Sequence, residues 1–287
     1  MTRWLRWLLG GLAALGLVAV LAGYGYLRGW HIDRVTAREL SAKLRPYDTI
    51  LRPEGEGPFP TVVLLHGCSG VHESNHSWAE LFRNQGYVAV IVDSLGPRGL
   101  REHRLDNGVC DGSLLWGRER AGDLLVTLAD VRRLPFVNST KIAVAGWSHG
   151  AWTIMDTFAL EGSNELPSSL SDSPGGLEGV VGNVLIYPYC GALSLSHSET
   201  EWAGTVPSLM LLAGKDQMVS PDECLEVATW LEDEGQSVSV HVYPDADHAF
   251  DYTDLKPDSP LSYDPETTAD AQKRVADFLR STFASGI

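Results

Sequence analysis

Serine is a poor nucleophile until a neighbouring base takes its proton and a carboxylate holds that base in one tautomer. The sequence carries these three residue types in the order Ser, Asp, His, each just beyond an apolar run. Gly146-Trp147-Ser148-His149-Gly150 follows KIAVA and precedes the helical pattern AWTIMDTFAL. A G-x-S-x-G between strand and helix is a nucleophile elbow, in which small flanking residues let the chain turn sharply and lift the hydroxyl above a sheet. Asp216 follows SLMLL in Ala-Gly-Lys-Asp-Gln, and His248 follows SVSVHV in Asp-Ala-Asp-His-Ala-Phe. Taken singly, the pentapeptide recurs by chance, Asp216 suits a turn or helix cap, and His248 suits a surface. Their joint order and strand-end placement select acyl transfer instead: Ser148 attacks a carbonyl, His248 acts as base and then acid, and Asp216 orients the imidazole. The tetrahedral intermediate also needs donors for its oxyanion. His66-Gly67-Cys68-Ser69-Gly70 directly follows TVVLL, so the backbone N–H groups of Cys68 and His149 are the expected oxyanion hole. His66 has two readings, a hydrogen-bonding residue that steadies this loop or a buried packing residue.

Bringing these groups to one edge requires parallel strands with a common C-terminal side. From Tyr47 onward the chain alternates β-branched runs with helical patterns, which predicts a mostly parallel sheet covered by helices on both faces. Thr61–Leu65, Tyr87–Val92, Lys141–Ala145, Val184–Tyr187, Ser208–Leu212 and Ser237–Val242 read as strands, with Tyr47–Leu51 as an edge strand before the Pro/Gly-rich turn at 53–60. Leu124, Leu125, Leu128 and Val131 form one helical stripe; Ala271, Val275, Phe278 and Leu279 form another. Residues 161–183 read as a polar insertion and 188–206 as a short connection, which leaves no room for a large lid domain.

The strand order together with H-G-C-S-G, G-W-S-H-G, A-G-K-D and D-H-A-F resembles the α/β-hydrolase superfamily, specifically its dienelactone hydrolase-like branch, over about residues 45–285. The resemblance implies an α/β-hydrolase fold and hydrolysis of a small-molecule carboxylic ester or lactone by a Ser-His-Asp triad, with no cofactor. One departure matters: dienelactone hydrolases proper use a cysteine nucleophile, whereas this sequence has Ser148, so dienelactone itself is not implied as substrate. The elbow G-W-S-x-G is also similar to that of polyester and cutinase-like hydrolases, which keeps bulky esters open and makes Trp147 an expected substrate contact. Peptidase or other acyl-transfer activity on the same triad, and a tethered non-catalytic binding protein, are the competing readings.

Other residues near these motifs carry chemistry of their own. Arg98, after another strand end, is either a bidentate clamp for a substrate carboxylate or a solvated loop charge. Cys68 is a weaker candidate nucleophile because it lacks the elbow. Cys224 shares a helical face with Val227, Ala228 and Leu231 and reads as an inert buried thiol, which leaves a Cys110–Cys190 disulfide as one pairing among Cys68, Cys110 and Cys190. Residues 243–266 hold Asp245, Asp247, Asp251, Asp254, Asp258, Asp264 and Glu266 against Lys256, and read as an acidic rim beside His248. His66, His72 and His76 match no metal-ligand spacing, so no metal is expected.

Composition limits the alternatives. The chain has 287 residues with 44% apolar and 21% charged side chains, enough for a full core, and 37 acidic against 22 basic groups, a net charge of −15 that repels phosphate backbones and excludes nucleic acid as a partner. Residues 7–27 are uncharged, and a helix over them reaches roughly 31 Å, enough to cross a bilayer core. Trp4, Trp7, Tyr24, Tyr26 and Trp30 gather at its ends. Residues 1–30 therefore read as a membrane anchor, or as a signal segment cleaved near Val20-Leu21-Ala22, followed by a connector at 31–45 and the hydrolase domain at 46–287. The arginines after the span favour a cytoplasmic domain, whereas the general behaviour of single N-terminal spans favours export, the reading adopted here. Nothing in the sequence sets an oligomeric state.

Overall fold

The computed structural model describes residues 11–12, 15–23, 25, 32–100, 103–198, 200–255 and 259–285. The aromatic ends of the uncharged stretch 7–27 and its flanking Arg3, Arg6 and Arg28 lie outside the described residues. Residues 15–23 are helical, and among the described residues no helix is long and apolar enough to cross a membrane.

Among the described residues, seven strands form one sheet: β1 (Thr49–Leu51), β2 (Phe59–Leu65), β3 (Val88–Val92), β4 (Val137–Trp147), β5 (Val180–Ile186), β6 (Ser208–Ala213) and β7 (Val238–Tyr243). Their spatial order is β1-β3-β2-β4-β5-β6-β7. Only β1 is antiparallel to its neighbour; the remaining pairs are parallel, as β-branched strands buried on both faces require. The expected strands are all present, with shifted ends. Tyr47 and Asp48 fall outside the edge strand, and β4 extends backward through the polar residues 138–141.

Side-chain alternation divides the core into two layers. Val63 and Leu65 of β2 join one cluster, packed under α3 (Gly117–Val131), α4 (His149–Gly162) and α5 (Pro221–Asp233) through Leu124, Leu128, Ile154, Phe158 and Leu231. Val62 and Leu64 join the other, covered by α2 (Glu73–Asn84) and α6 (Pro265–Ala284) through Trp78, Phe82, Val275 and Leu279. Burying each such aliphatic side chain contributes about 1.5–3 kcal/mol, so the sheet is a stiff platform for the loops at its ends. The segment expected to be a connector contains α1 (Ala37–Leu44), started by a capping box between Thr36 and Glu39; Leu40 and Leu44 pack on Val126 and Leu170. Because α4 runs to Gly162 and β5 starts at Val180, the expected polar insertion contracts to loop 163–179.

Strand order reverses between β2 and β4, where the chain leaves β2 toward β3 on one side and leaves β4 toward β5 on the other. Such a switch point opens a crevice at the strand C-termini. The pairing Leu65↔Gly146 sets the loops 66–70 and 147–150 side by side at that crevice.

Candidate active site

Ser148 occupies the turn between β4 and α4 with φ 52° and ψ −114°, a conformation that costs a non-glycine residue strain and persists only when its surroundings enforce it. The flanking glycines explain how. A Cβ on Gly146 would stand 2.5 Å from the backbone of Gly150 and Ala151, and one on Gly150 would stand 2.1 Å from the Leu65 carbonyl oxygen. Both positions must lack a side chain for the helix to start this close to the sheet.

Asp216 and His248 lie beyond the ends of β6 and β7, as expected, and the structure brings all three side chains together. His248 Nδ1 lies 2.7 Å from Asp216 Oδ2, and His248 Nε2 lies 3.0 Å from Ser148 Oγ. An ionised carboxylate only accepts, so Nδ1 carries the ring proton and Nε2 is left to accept from the serine hydroxyl. The other Asp216 oxygen accepts from the Met218 and Val219 amides at 2.9 and 3.0 Å, which fixes its rotamer. Its side chain is 1% exposed.

Arg120, which has no exposed surface, ties three loops together. It donates to the His66 carbonyl (2.8 Å), to Ser94 Oγ (2.8 Å) and to His149 Nδ1 (3.2 Å). Burial lowers its pKa to about 10, so it stays charged at neutral pH; burial and that charge lower His149 to about 3, so His149 stays neutral. His66 satisfies both of its readings. It is fully buried, and its Nε2 accepts from the Ser94 amide at 3.1 Å while Nδ1 contacts the Gly67 carbonyl at 2.6 Å.

A second buried hub lies beside the Ser148, Asp216 and His248 side chains. Asp251 accepts from Trp78 Nε1 at 2.7 Å, from Trp147 Nε1 at 2.9 Å and from the Tyr187 hydroxyl, whose ring packs 4.7 Å from that of His248. Trp147 is therefore not a substrate contact: it is fully buried in the core layer under α2 and α6, beside Trp78 and Phe82. Arg98 is neither a clamp nor a solvated charge. It makes a bidentate pair with the fully buried Asp123, at 2.8 and 2.9 Å.

Lys256 and Asp258 of the expected acidic rim lie outside the described residues, and several of its other acids are committed to other tasks. Asp251 is buried, Asp254 pairs with His72, Asp245 pairs with Lys215, and Asp264 caps α6. The cysteines form two disulfides, Cys68–Cys110 and Cys190–Cys224. This overturns both the Cys110–Cys190 pairing and the free Cys224 thiol, and it leaves Cys68 no thiol with which to attack. The first disulfide fastens the segment before α3 to loop 66–70; the second fastens the chain after β5 to α5.

Above Ser148 lies a cavity of about 160 Å³, lined by apolar groups from several loops, including Leu105, Val109, Leu193 and Met218, and by Trp152 of α4, together with Cys68 and His149. Neither Lys nor Arg occurs among the described residues lining it.

Comparison with known proteins bears on this geometry. The model of the dienelactone hydrolase family matches residues 48–283. The chain belongs to the dienelactone hydrolase family. It is thereby a hydrolase acting on ester bonds. It is 25% identical over 248 residues to an Azospirillum brasilense protein provisionally assigned as a carboxymethylenebutenolidase, covering 80% of this chain and 91% of that one. It is also 25% identical over 217 residues to acylamino-acid-releasing enzyme 1 of Oryza sativa subsp. japonica, covering 67% of this chain but only 28% of that longer protein. Among solved structures, Thermogutta terrifontis esterase 2 superposes with a TM-score of 0.63 at 17% identity, covering 82% of this chain and 88% of that one. At that identity the likeness shows the fold.

Proposed function

We propose that this family member is a serine esterase that cleaves short, uncharged acyl esters through an acyl-enzyme. The observation that carries the reading is the continuous hydrogen-bond relay Ser148 Oγ–His248 Nε2–His248 Nδ1–Asp216 Oδ2, with links of 3.0 and 2.7 Å. As Ser148 Oγ attacks the carbonyl carbon, its proton passes to His248 Nε2 and the carbonyl electrons move onto oxygen. The Cys68 and His149 amides at the pocket wall stabilise that oxyanion; one such donor is worth roughly 2.7–4 kcal/mol. The imidazolium then protonates the leaving alcohol oxygen as the C–O bond breaks. Water repeats the sequence through His248, releasing the acid and restoring Ser148.

Cavity size and lining argue for the substrate class. An apolar cavity of roughly 150 Å³ holds a benzene-sized group, which favours short acyl chains. A carboxylate entering this pocket loses hydration without meeting a lysine or arginine, because Arg98 is committed to Asp123. The Thermogutta esterase 2 structures, one with propionate bound and one phosphonylated by cyclosarin, support the short-acyl and active-nucleophile parts of this reading. The uncharged stretch 7–27 and two disulfides support placing the domain on a membrane in an oxidising, extracytoplasmic compartment.

Labelling with a fluorophosphonate probe, followed by a nitrophenyl ester series of increasing acyl length, tests the proposal. Wild-type protein is expected to take up one probe, and Ser148→Ala to take up none and to lose about 10⁴-fold or more in turnover. Labelling that survives Ser148→Ala overturns the mechanism. Rates that climb steadily to long acyl chains overturn the substrate class.

A further inference from the structure

A second cavity of about 370 Å³ adjoins the first and shares Ser69, Leu105, Tyr252 and Leu261 with it. On its wall stand two imidazoles and a carboxylate from three different loops: His72 before α2, His103 between β3 and α3, and Asp254 after β7. We propose that His72, His103 and Asp254 bind one zinc ion at the mouth of the active site, with a coordination position open to this cavity.

The geometry fits before any metal arrives. His72 Nδ1 lies 2.9 Å from Asp254 Oδ2, His103 Nδ1 lies 3.8 Å from the same oxygen, and the three donor atoms all fall within 4.8 Å of one another. Ligands on a tetrahedral zinc with bonds of about 2.0–2.1 Å stand roughly 3.3–3.4 Å apart, so side-chain adjustments of up to about 1.5 Å, the larger ones open to the exposed His103, bring these atoms onto one ion. Zinc takes the place of the proton that His72 Nδ1 shares with Asp254, and that proton leaves to solvent.

The ligands are also held in place. The other ring nitrogen of His72 lies 2.9 Å from Ser69 Oγ, the contact that metal-binding histidines characteristically need on the far side of the ring. Its ring packs 4.3 Å from Tyr252 and edge-on to His103 at 4.5 Å. The His103 amide donates to the Ser69 carbonyl at 2.6 Å, which anchors the exposed histidine's backbone to loop 66–70. Two nitrogens and one carboxylate oxygen suit zinc better than calcium or magnesium, which favour all-oxygen sets. Three protein ligands leave a fourth position for water or for a ligand in the cavity. The three loops so joined carry Cys68, Leu105 and His248, so zinc would stiffen the walls of the ester pocket.

This site rests on residues outside the triad and is tested without turnover. Full-length protein is stripped with a chelator, dialysed against zinc sulfate, and its bound metal measured, with cobalt substitution followed by visible absorption. Wild-type protein is expected to retain one zinc per chain, to melt several degrees higher with zinc, and to show the intense bands of four-coordinate cobalt. His103→Ala, a change at an exposed side chain, is expected to weaken zinc at least tenfold and abolish those bands, as is Asp254→Asn, while His76→Ala keeps both. Absence of bound zinc in the wild type overturns the proposal, and so does zinc retained equally by His103→Ala and Asp254→Asn. Fluorophosphonate labelling of Ser148 is independent of either result.

Discussion

Asp251 offers the sharpest test of how Ser148 and His248 are supported. Its carboxylate is 2% exposed and is the shared acceptor of three buried donors, Trp78 Nε1, Trp147 Nε1 and the Tyr187 hydroxyl. Asp251→Ala strands all three, at about 1–3 kcal/mol each, and is offset in part by relief of a buried charge, for a net loss of roughly 3–5 kcal/mol. Asp251→Asn keeps more: its carbonyl oxygen can accept from both indoles and its amide can donate to the tyrosine oxygen. Only the tyrosine proton loses its acceptor, a cost of about 1–2 kcal/mol. For a domain of this size each kcal/mol moves the melting point by about 2–4 °C, so Ala should lower it by roughly 6–20 °C and Asn by roughly 2–8 °C. Function should follow, because Trp147 precedes Ser148 and Tyr187 packs on His248. Displacing either catalytic atom by about 1 Å costs on the order of 10²-fold, mainly in kcat. Burial pushes the Asp251 carboxyl upward despite its three donors. A raised folded value makes its own contribution largest below the unfolded value of about 3.9 and smaller as pH rises through the folded value, so the Ala deficit should be larger near about pH 5 than near about pH 8. Thermal melts and ester kinetics on both variants decide the matter. Equal melting points for Asn and Ala, or an Ala variant within about 2 °C of wild type, refute the hub.

Three further outcomes follow from other buried groups. Arg98→Ala leaves Asp123 buried without its bidentate partner and should cost about 3–5 kcal/mol, while shifting KM for neutral and anionic esters by the same factor; a selective loss for anionic esters would restore Arg98 as a substrate clamp. The disulfides close loops with sequence separations of 42 and 34, worth about 4 kcal/mol each by chain entropy, so reduction should lower the melting point sharply. Thiol titration of the unreduced, denatured protein should find no free cysteine. Asp48 has a buried oxygen without a hydrogen-bond partner, and burial together with the charges of Asp123, Asp130 and Asp93 raises its pKa to about 7. With the folded value above the unfolded one, its favourable contribution is complete below about pH 4 and lost as pH rises through about 7. Asp48→Asn should therefore match wild type near about pH 4 and become the more stable protein above about pH 7; a melting-point gap that stays constant across that window contradicts this account.

The meeting of Ser148, Asp216 and His248 was legible because each follows a strand end, and parallel strands put all such ends on one side. The supporting hubs were less visible, although their signals were present. Arg120 stands four residues before Leu124 and eight before Leu128, on the same helical face, so the apolar stripe already contained a charge that must find buried acceptors. Asp251, three residues past His248, is one acid in a run, and a run does not reveal that one member turns inward to meet two indoles and a phenol. Cys224 was correctly placed on a buried face, yet a disulfide sulfur is as buried as a thiol, so periodicity cannot distinguish them. What decides the pairing is which loops meet above the sheet, and that depends on long-range register such as Leu65↔Gly146.

The burial of Trp147 carries one consequence for substrate choice. Trp147 is the last residue of β4 and its side chain joins the core layer under α2 and α6, whereas Ser148 stands in the turn beyond the strand. The bulky aromatic surface suggested by G-W-S-x-G therefore supports Asp251 and α2 and does not receive an acyl group. The pocket is instead walled by side chains from separate loops, two of which the Cys68–Cys110 disulfide draws together. On the proposed reading, acyl size is set by loop residues such as Leu105, Val109 and Met218, whereas the elbow sets only where Ser148 stands. Replacing Trp147 should thus damage stability and kcat without a systematic trend across acyl lengths, and replacing Val109 with a larger side chain should narrow the acyl series at unchanged labelling of Ser148.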